Sequence, residues 1–210
     1  MFGTLCTQPE GQALFLSDTL TSTVFPYLSP SLPLPPAQHY AAKTIENMCG
    51  LQGVLGQRLA TPAAVSELSR LAHDPATGSA LRGTAASALA RITHAAPALL
   101  PGMLEQGGVA SCAQGLSDGS QRVQQAAATL LCQLLALPAT SAEAVSTLLG
   151  GEAALAALAT LLESPSEVLR GKAVVAAALV VRHGGARALA AISTSRLMHQ
   201  VGRRRQRGDE

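Results

Sequence analysis

The stretch Leu81-Arg-Gly-Thr-Ala-Ala-Ser-Ala-Leu-Ala-Arg-Ile92 recurs along this chain. Counted from Leu81, small residues stand at plus 4 and plus 5 (Ala85, Ala86) and apolar ones at plus 8 and plus 11 (Leu89, Ile92). That spacing is one stripe of an α-helix. Val123 opens the same template, giving Ala127, Ala128, Leu131 and Leu134, and Leu169 opens it again, giving Ala173, Val174, Ala177 and Val180. A weaker copy from Ala37 supplies Ala41, Ala42, Ile45 and Met48. The anchors lie 44, 42 and 46 residues apart. One helical unit cannot bury its own apolar face, so repeats of this period predict an all-α solenoid of stacked units.

Composition agrees. Only 2% of the residues are aromatic, so the core has to come from close helix contacts between small side chains. A β-sandwich or barrel is not expected, because β-branched and aromatic residues are scarce. The formal charge of +2 hides a local imbalance at the C-terminus, where Arg203, Arg204, Arg205 and Arg207 precede Asp209 and Glu210. With those set aside, residues 1–202 carry eleven basic and eleven acidic side chains. A balanced body argues against a nucleic-acid surface running along the solenoid.

Cysteines stand at 6, 49, 112 and 132, in no zinc-ligand or redox spacing. They read as buried reduced thiols suited to a reducing cytosol, so the chain is expected to be cytoplasmic. The N-terminus lacks a basic start followed by an apolar run, so no signal peptide is expected. The longest apolar run, Ala173 to Val181, is nine residues and too short to span a bilayer.

Residues 1–36 differ from the rest. Together with Tyr40 they hold every aromatic residue, and prolines stand at 26, 30, 33, 35 and 36. One or two helical turns bearing Leu14, Phe15 and Leu20 are expected within 11–28, and an extended strand of chain over Ser29 to Pro36. This segment reads as a cap over the first repeat's open apolar face, as a linker from a preceding domain, or, least favoured, as a Pro-rich stretch recognised by a partner. The repeat domain is then 37–201, with units at 51–97, 98–138 and 139–183 and a partial unit at each end, and 202–210 forms a basic disordered tail. The last partial unit, Gly184 to Val201, supplies Leu189, Ile192 and Leu197 without completing a repeat, which predicts an apolar edge there and with it a truncated array, docking onto further repeats, or self-association.

Helix starts are signalled at Thr61-Pro62, at Asp118 with Gln121, at Thr140 with Glu143, and at Ser164-Pro165-Ser166-Glu167. The pairs Gly107-Gly108, Gly150-Gly151 and Gly184-Gly185 read as chain-reversing breaks where positive φ is cheap.

From Gly107, the run Gly-Gly-Val-Ala-Ser-Cys-Ala-Gln-Gly-Leu-Ser-Asp-Gly-Ser-Gln-Arg-Val-Gln-Gln-Ala-Ala-Ala-Thr-Leu-Leu-Cys-Gln-Leu resembles an armadillo repeat, and Gly150 to Val181 resembles another. The resemblance implies a right-handed α-α superhelix, an armadillo/HEAT-like solenoid whose long final helices line a concave groove. In that family an Asn at plus 10 of the template binds extended peptide backbone. Here plus 10 is Asn47, Arg91, Gln133 and Leu179, and the chain has no Trp to accompany it, which argues against peptide binding of the importin kind. The stretch Gln38-His-Tyr-Ala-Ala-Lys-Thr-Ile-Glu-Asn-Met-Cys49 resembles the opening of the C-terminal armadillo-like region in Fused and RUNKEL-type (Unc-51-like) kinases and pseudokinases. That resemblance implies a regulatory, scaffolding region with a role in microtubule, ciliary or cytokinesis processes, a microtubule-associated protein partner and a cytoskeletal location. The chain itself carries no glycine-rich loop, no His-Arg-Asp and no Asp-Phe-Gly.

Motifs that look catalytic fit their surroundings poorly. Gly115-Leu-Ser117-Asp-Gly119 matches a nucleophile elbow, yet that chemistry needs a strand before the serine, and a helix precedes it here. Gly50, Gly53 and Gly56 come after a helix and lack the Lys-Ser/Thr of a phosphate loop. Histidines 39, 73, 94, 183 and 199 have no helical-spacing partner for a metal. The sequence therefore predicts no enzyme, no cofactor, no metal site and no small-molecule substrate. It predicts a protein-binding scaffold using Lys43, Asn47, Arg91 and Gln133 on its concave face. The competing reading is a basic-tail module binding nucleic acid or microtubules through Arg203 to Arg207.

Overall fold

The computed structural model describes residues 24–29, 34–50 and 54–208, with the side chains of 54, 55 and 196–208 left out. The expected turns bearing Leu14, Phe15 and Leu20, and the whole arginine cluster as side chains, lie outside the described residues.

Among the described residues ten α-helices succeed one another and no strand occurs. They are α1 (Pro35–Gly50), α2 (Val54–Leu59), α3 (Pro62–His73), α4 (Ser79–Ala95), α5 (Leu100–Glu105), α6 (Gly108–Leu116), α7 (Gln121–Ala136), α8 (Pro138–Gly150), α9 (Glu152–Leu162) and α10 (Glu167–Gly208). From α2 onward they come in threes, each ending on a long helix: α4, α7 and α10. The long helices pack in succession, α1 on α4, α4 on α7 and α7 on α10, and α3, α6 and α9 each lie against the long helix next in the chain.

The template residues explain this stacking. Ala85, Ala86, Leu89 and Ile92 are buried, as are Ala127, Ala128, Leu131 and Leu134, and Ala41, Ala42, Ile45 and Met48. Alanine at plus 4 and plus 5 lets neighbouring helices approach, and leucine or isoleucine one and two turns later fills the space behind. Each such large side chain, fully buried, contributes about 1.5–3 kcal/mol. The thiols of Cys49 and Cys112 are free and buried, and burial pushes both up to about 12, which keeps them protonated packing groups. His73 ties two repeats together, with Nδ1 2.7 Å from the Ser69 carbonyl and Nε2 3.2 Å from that of Ser111.

Helix termini obey local chemistry with several departures from expectation. Thr61 caps α3 by accepting from the Ala64 amide at 3.2 Å, with Pro62 in the first turn. Asp118 does not cap α7. Its carboxylate accepts from the Ser120 amide at 2.7 Å, closing the loop one residue earlier, and pairs with Arg82 at 3.2 Å. Thr140 lies inside α8, because Pro138 already opens that helix, and its hydroxyl donates to the Leu134 carbonyl at 2.6 Å. Pro165 precedes α10 rather than starting it, and the Ser164 hydroxyl accepts from the Ser166 amide. Likewise Pro35 and Pro36 open α1 instead of extending the chain, since a first-turn proline lacks only an amide that has no helical partner.

Two of the three Gly-Gly breaks use left-handed backbone: Gly107 has φ 81° and Gly185 φ 60°, conformations that a Cβ disfavours. Gly151 is extended, with φ −109°. At Gly185 the last helix breaks, and beyond it Ala188 and Ile192 are buried. The stretch Glu167–Ser195 is long and apolar enough by length and composition to cross a membrane, but this break divides it. The helical backbone continues to Gly208, across residues whose composition predicts a disordered tail. At the other end the turn Phe25–Leu28 drives Leu28 fully into the core, and its carbonyl accepts from Arg70 at 2.8 Å. The turn packs against α1 and α3.

Candidate binding groove

An open groove of about 610 Å3 crosses α1, α4, α7 and α10. Its lining includes Ser87, Arg91 and His94 on α4, Arg122, Gln125, Thr129 and Gln133 on α7, and Lys172 on α10, which stand off the core stripe.

Beneath its near end lies Glu46, on α1, with a side chain 4% exposed. Burial alone would raise its pKa, but hydrogen bonds from Lys43, Ser87 and Arg122 and the charge of Arg122 outweigh that and hold the carboxyl at about 2. Lys43 Nζ donates at 2.7 Å, Ser87 Oγ at 2.6 Å, and Arg122 Nη2 reaches both carboxylate oxygens at 2.8 Å. Arg122 also donates to Thr84 Oγ1 at 3.2 Å, and Arg91 Nη1 donates to the Glu46 carbonyl at 3.2 Å. Arg122 can cross α4 because Gly83 has no side chain there: a Cβ would stand 3.2 Å from the Arg122 Cδ. One carboxylate therefore joins three successive long helices.

Of the residues expected from sequence, Arg91 and Gln133 line the groove and Lys43 and Asn47 do not. Lys43 is drawn onto Glu46, and Asn47 is half-buried on α1. Gln133 has its amide engaged by the preceding repeat: Oε1 accepts from Thr93 Oγ1 at 2.6 Å and Nε2 donates to the Ala90 carbonyl at 3.0 Å. Its polar character at plus 10 serves the junction between repeats. Arg122, Gln125 and Lys172 carry no signal in the repeat pattern, because Arg122 precedes its template anchor and Lys172 stands at plus 3, where no other copy is charged. Lys172 Nζ donates to Thr129 Oγ1, and its carbonyl accepts from Cys132 Sγ at 3.6 Å.

The other motifs have plain surroundings. Ser117 comes just after the end of α6 and is exposed, in a loop between two helices, with Asp118 committed to Arg82 and the Ser120 amide. Among the described residues no three His, Cys, Asp or Glu side chains cluster as metal ligands.

Helices in threes, long third helices lining one face, and alanine at their junctions define an armadillo-type α-solenoid. Solved structures agree: the designed armadillo repeat protein YIII(Dq)4CqI superposes with a TM-score of 0.74 at 21% identity, over 92% of this chain and 78% of its own. A second designed armadillo protein, solved in complex with peptide (KR)4, gives 0.73 at 20% identity, over 94% and 80%. A computationally designed set for modular peptide recognition gives 0.72 at 20%, over 95% and 87%. In sequence, the chain is 30% identical over 145 residues to serine/threonine-protein kinase ULK4 of Mus musculus, a match covering 69% of this chain and 11% of that protein. No protein-family model matches the chain.

Proposed function

We propose that this chain is a non-enzymatic scaffold that holds an extended protein segment along its concave face. The observation that carries the reading is the groove crossing all four long helices, with polar and charged side chains placed among its apolar lining. That a designed armadillo protein was solved in complex with a peptide supports peptide binding by this fold. The similarity to part of a ULK4 kinase, together with the stretch Gln38 to Cys49, supports a finer assignment. On that assignment the chain is the regulatory region of a Fused/RUNKEL-type kinase or pseudokinase, acts in the cytoplasm, and meets a microtubule-associated partner.

The test uses the full chain in three forms to capture partners from cytosol. Gln125→Trp places bulk in the groove without changing charge, and serines at 203, 204, 205 and 207 neutralise the tail. Partners lost with Gln125→Trp and kept by the tail variant are the expected result. Partners kept by Gln125→Trp and lost with the tail variant, in a salt-sensitive way, would transfer the function to the arginine cluster.

A further inference from the structure

The groove has an uncompensated charge. Lys43, Arg91, Arg122 and Lys172 stand in or beside it, and among the described residues no Asp or Glu lines it. The carboxylate of Glu46 lies underneath, already saturated by Lys43, Ser87 and Arg122. A single buried anion leaves a surplus of positive charge above it. Two of the cations face the groove with little to neutralise them. Arg91 has a side chain 47% exposed, and its Nη2 is 3.9 Å from Glu46 Oε1, so only Nη1 has a close acceptor. Lys172 meets the Thr129 hydroxyl and no carboxylate among the described residues.

From this lining we infer that the segment bound in the groove is acidic, an extended run of Asp and Glu whose carboxylates pair with Arg91 and Lys172. The inference rests on the groove reading above and adds the ligand's charge. It opposes the basic (KR)4 peptide found with a designed relative, which this lining repels. Arg91 and Lys172 sit two long helices apart. At roughly 8–10 Å between packed helix axes they are separated by about 20 Å. An extended chain rising ~3.3 Å per residue covers that in about six residues. An even separation places both carboxylates on the same side of the peptide, and Gln125 and Thr129 lie between them to meet its backbone.

Fluorescence anisotropy of labelled (DE)4, (GS)4 and (KR)4 peptides titrated with the full chain tests this. Tighter binding of (DE)4 than of (GS)4 by about tenfold or more is expected, weakening as salt rises, with no binding of (KR)4. Arg91→Gln with Lys172→Gln should reduce (DE)4 affinity about tenfold, and Arg91→Lys with Lys172→Arg should retain it. Equal or tighter binding of (KR)4, absence of (DE)4 binding, or indifference to the Gln pair overturns the acidic preference. The Gln125→Trp variant separates the two readings. If it abolishes binding of whichever peptide does bind, the groove stands and only its charge preference falls. If it changes nothing, the groove itself is not the site.

Discussion

The junctions from α1 through α4 and α7 to α10, and the outer face of α10, are built on the same template and behave in opposite ways. In the first, plus 5 is Ala42, Ala86 or Ala128, all buried, and plus 6 is Lys43, Ser87 or Thr129, each hydrogen bonded to a neighbouring side chain. On α10 the same positions are Val174 and Val175, which are 56% and 52% exposed, with Val168 and Leu189 exposed as well. The difference lies in whether another long helix packs on this side. Cys132, one turn beyond Ala128, reaches the carbonyl of Lys172 on α10, so this side of a long helix faces the next one. Within α10 the chain turns at Gly185 and packs against α8, as the contacts that a Cβ at Gly184 would make with Val145 and Leu149 show. Among the described residues nothing covers the valines. An apolar residue in a repeat is thus a core residue only where a neighbouring helix arrives to cover it.

The sharpest way to break this comparison is one substitution at the two equivalent sites. Ala128→Asp puts a charge between α7 and α10 with no room to solvate it and should cost at least about 4 kcal/mol. A urea melt that shows near-wild-type stability would mean that the repeats do not pack as described.

Next in size is Glu46→Gln, which keeps the shape and removes the charge that gathers Lys43, Ser87 and Arg122. Because the folded carboxyl sits at about 2 against an ordinary 4.5, its contribution is complete above the ordinary value and is lost as pH falls from there toward 2. The variant should be less stable by about 2–3 kcal/mol at neutral pH and should lose that part of the acid sensitivity. Melting temperatures recorded across this pH range check both, and parallel curves for the two proteins would contradict the pairing.

Thr61→Ala removes a side-chain cap from α3 and should cost ~1 kcal/mol, read by the same melt. Smallest is Val174→Asp, the counterpart of Ala128→Asp, which should change stability by less than about 0.5 kcal/mol because water already reaches the site. A large loss there would show that the outer face is covered.

Much of the fold was legible from the alanine pair and the residues three and six positions after it, because a helix that stacks on copies of itself needs the same small residues in each copy. Thr61-Pro62 was legible as a helix start for a local reason, a hydroxyl within reach of an orphan amide. Thr140 and Asp118 misled because capping spacing is common and the true boundary depended on Pro138 in one case and on an Asx turn in the other. The candidate site was legible in part. Arg91 was visible at a repeating position, whereas Arg122 and Lys172 stand where other copies carry unrelated residues.

What the sequence by itself determined is the period, the helical stripe and hence the stacking, since these depend on which side chains avoid water at a 3.6-residue pitch. What only the tertiary structure decided is which charges meet. Glu46 and Arg122 are 76 residues apart and bond because two helix junctions place them over one another. Val174 is exposed for the matching reason: among the described residues no helix stands where the template would put one, and a stripe does not report which neighbour packs on it.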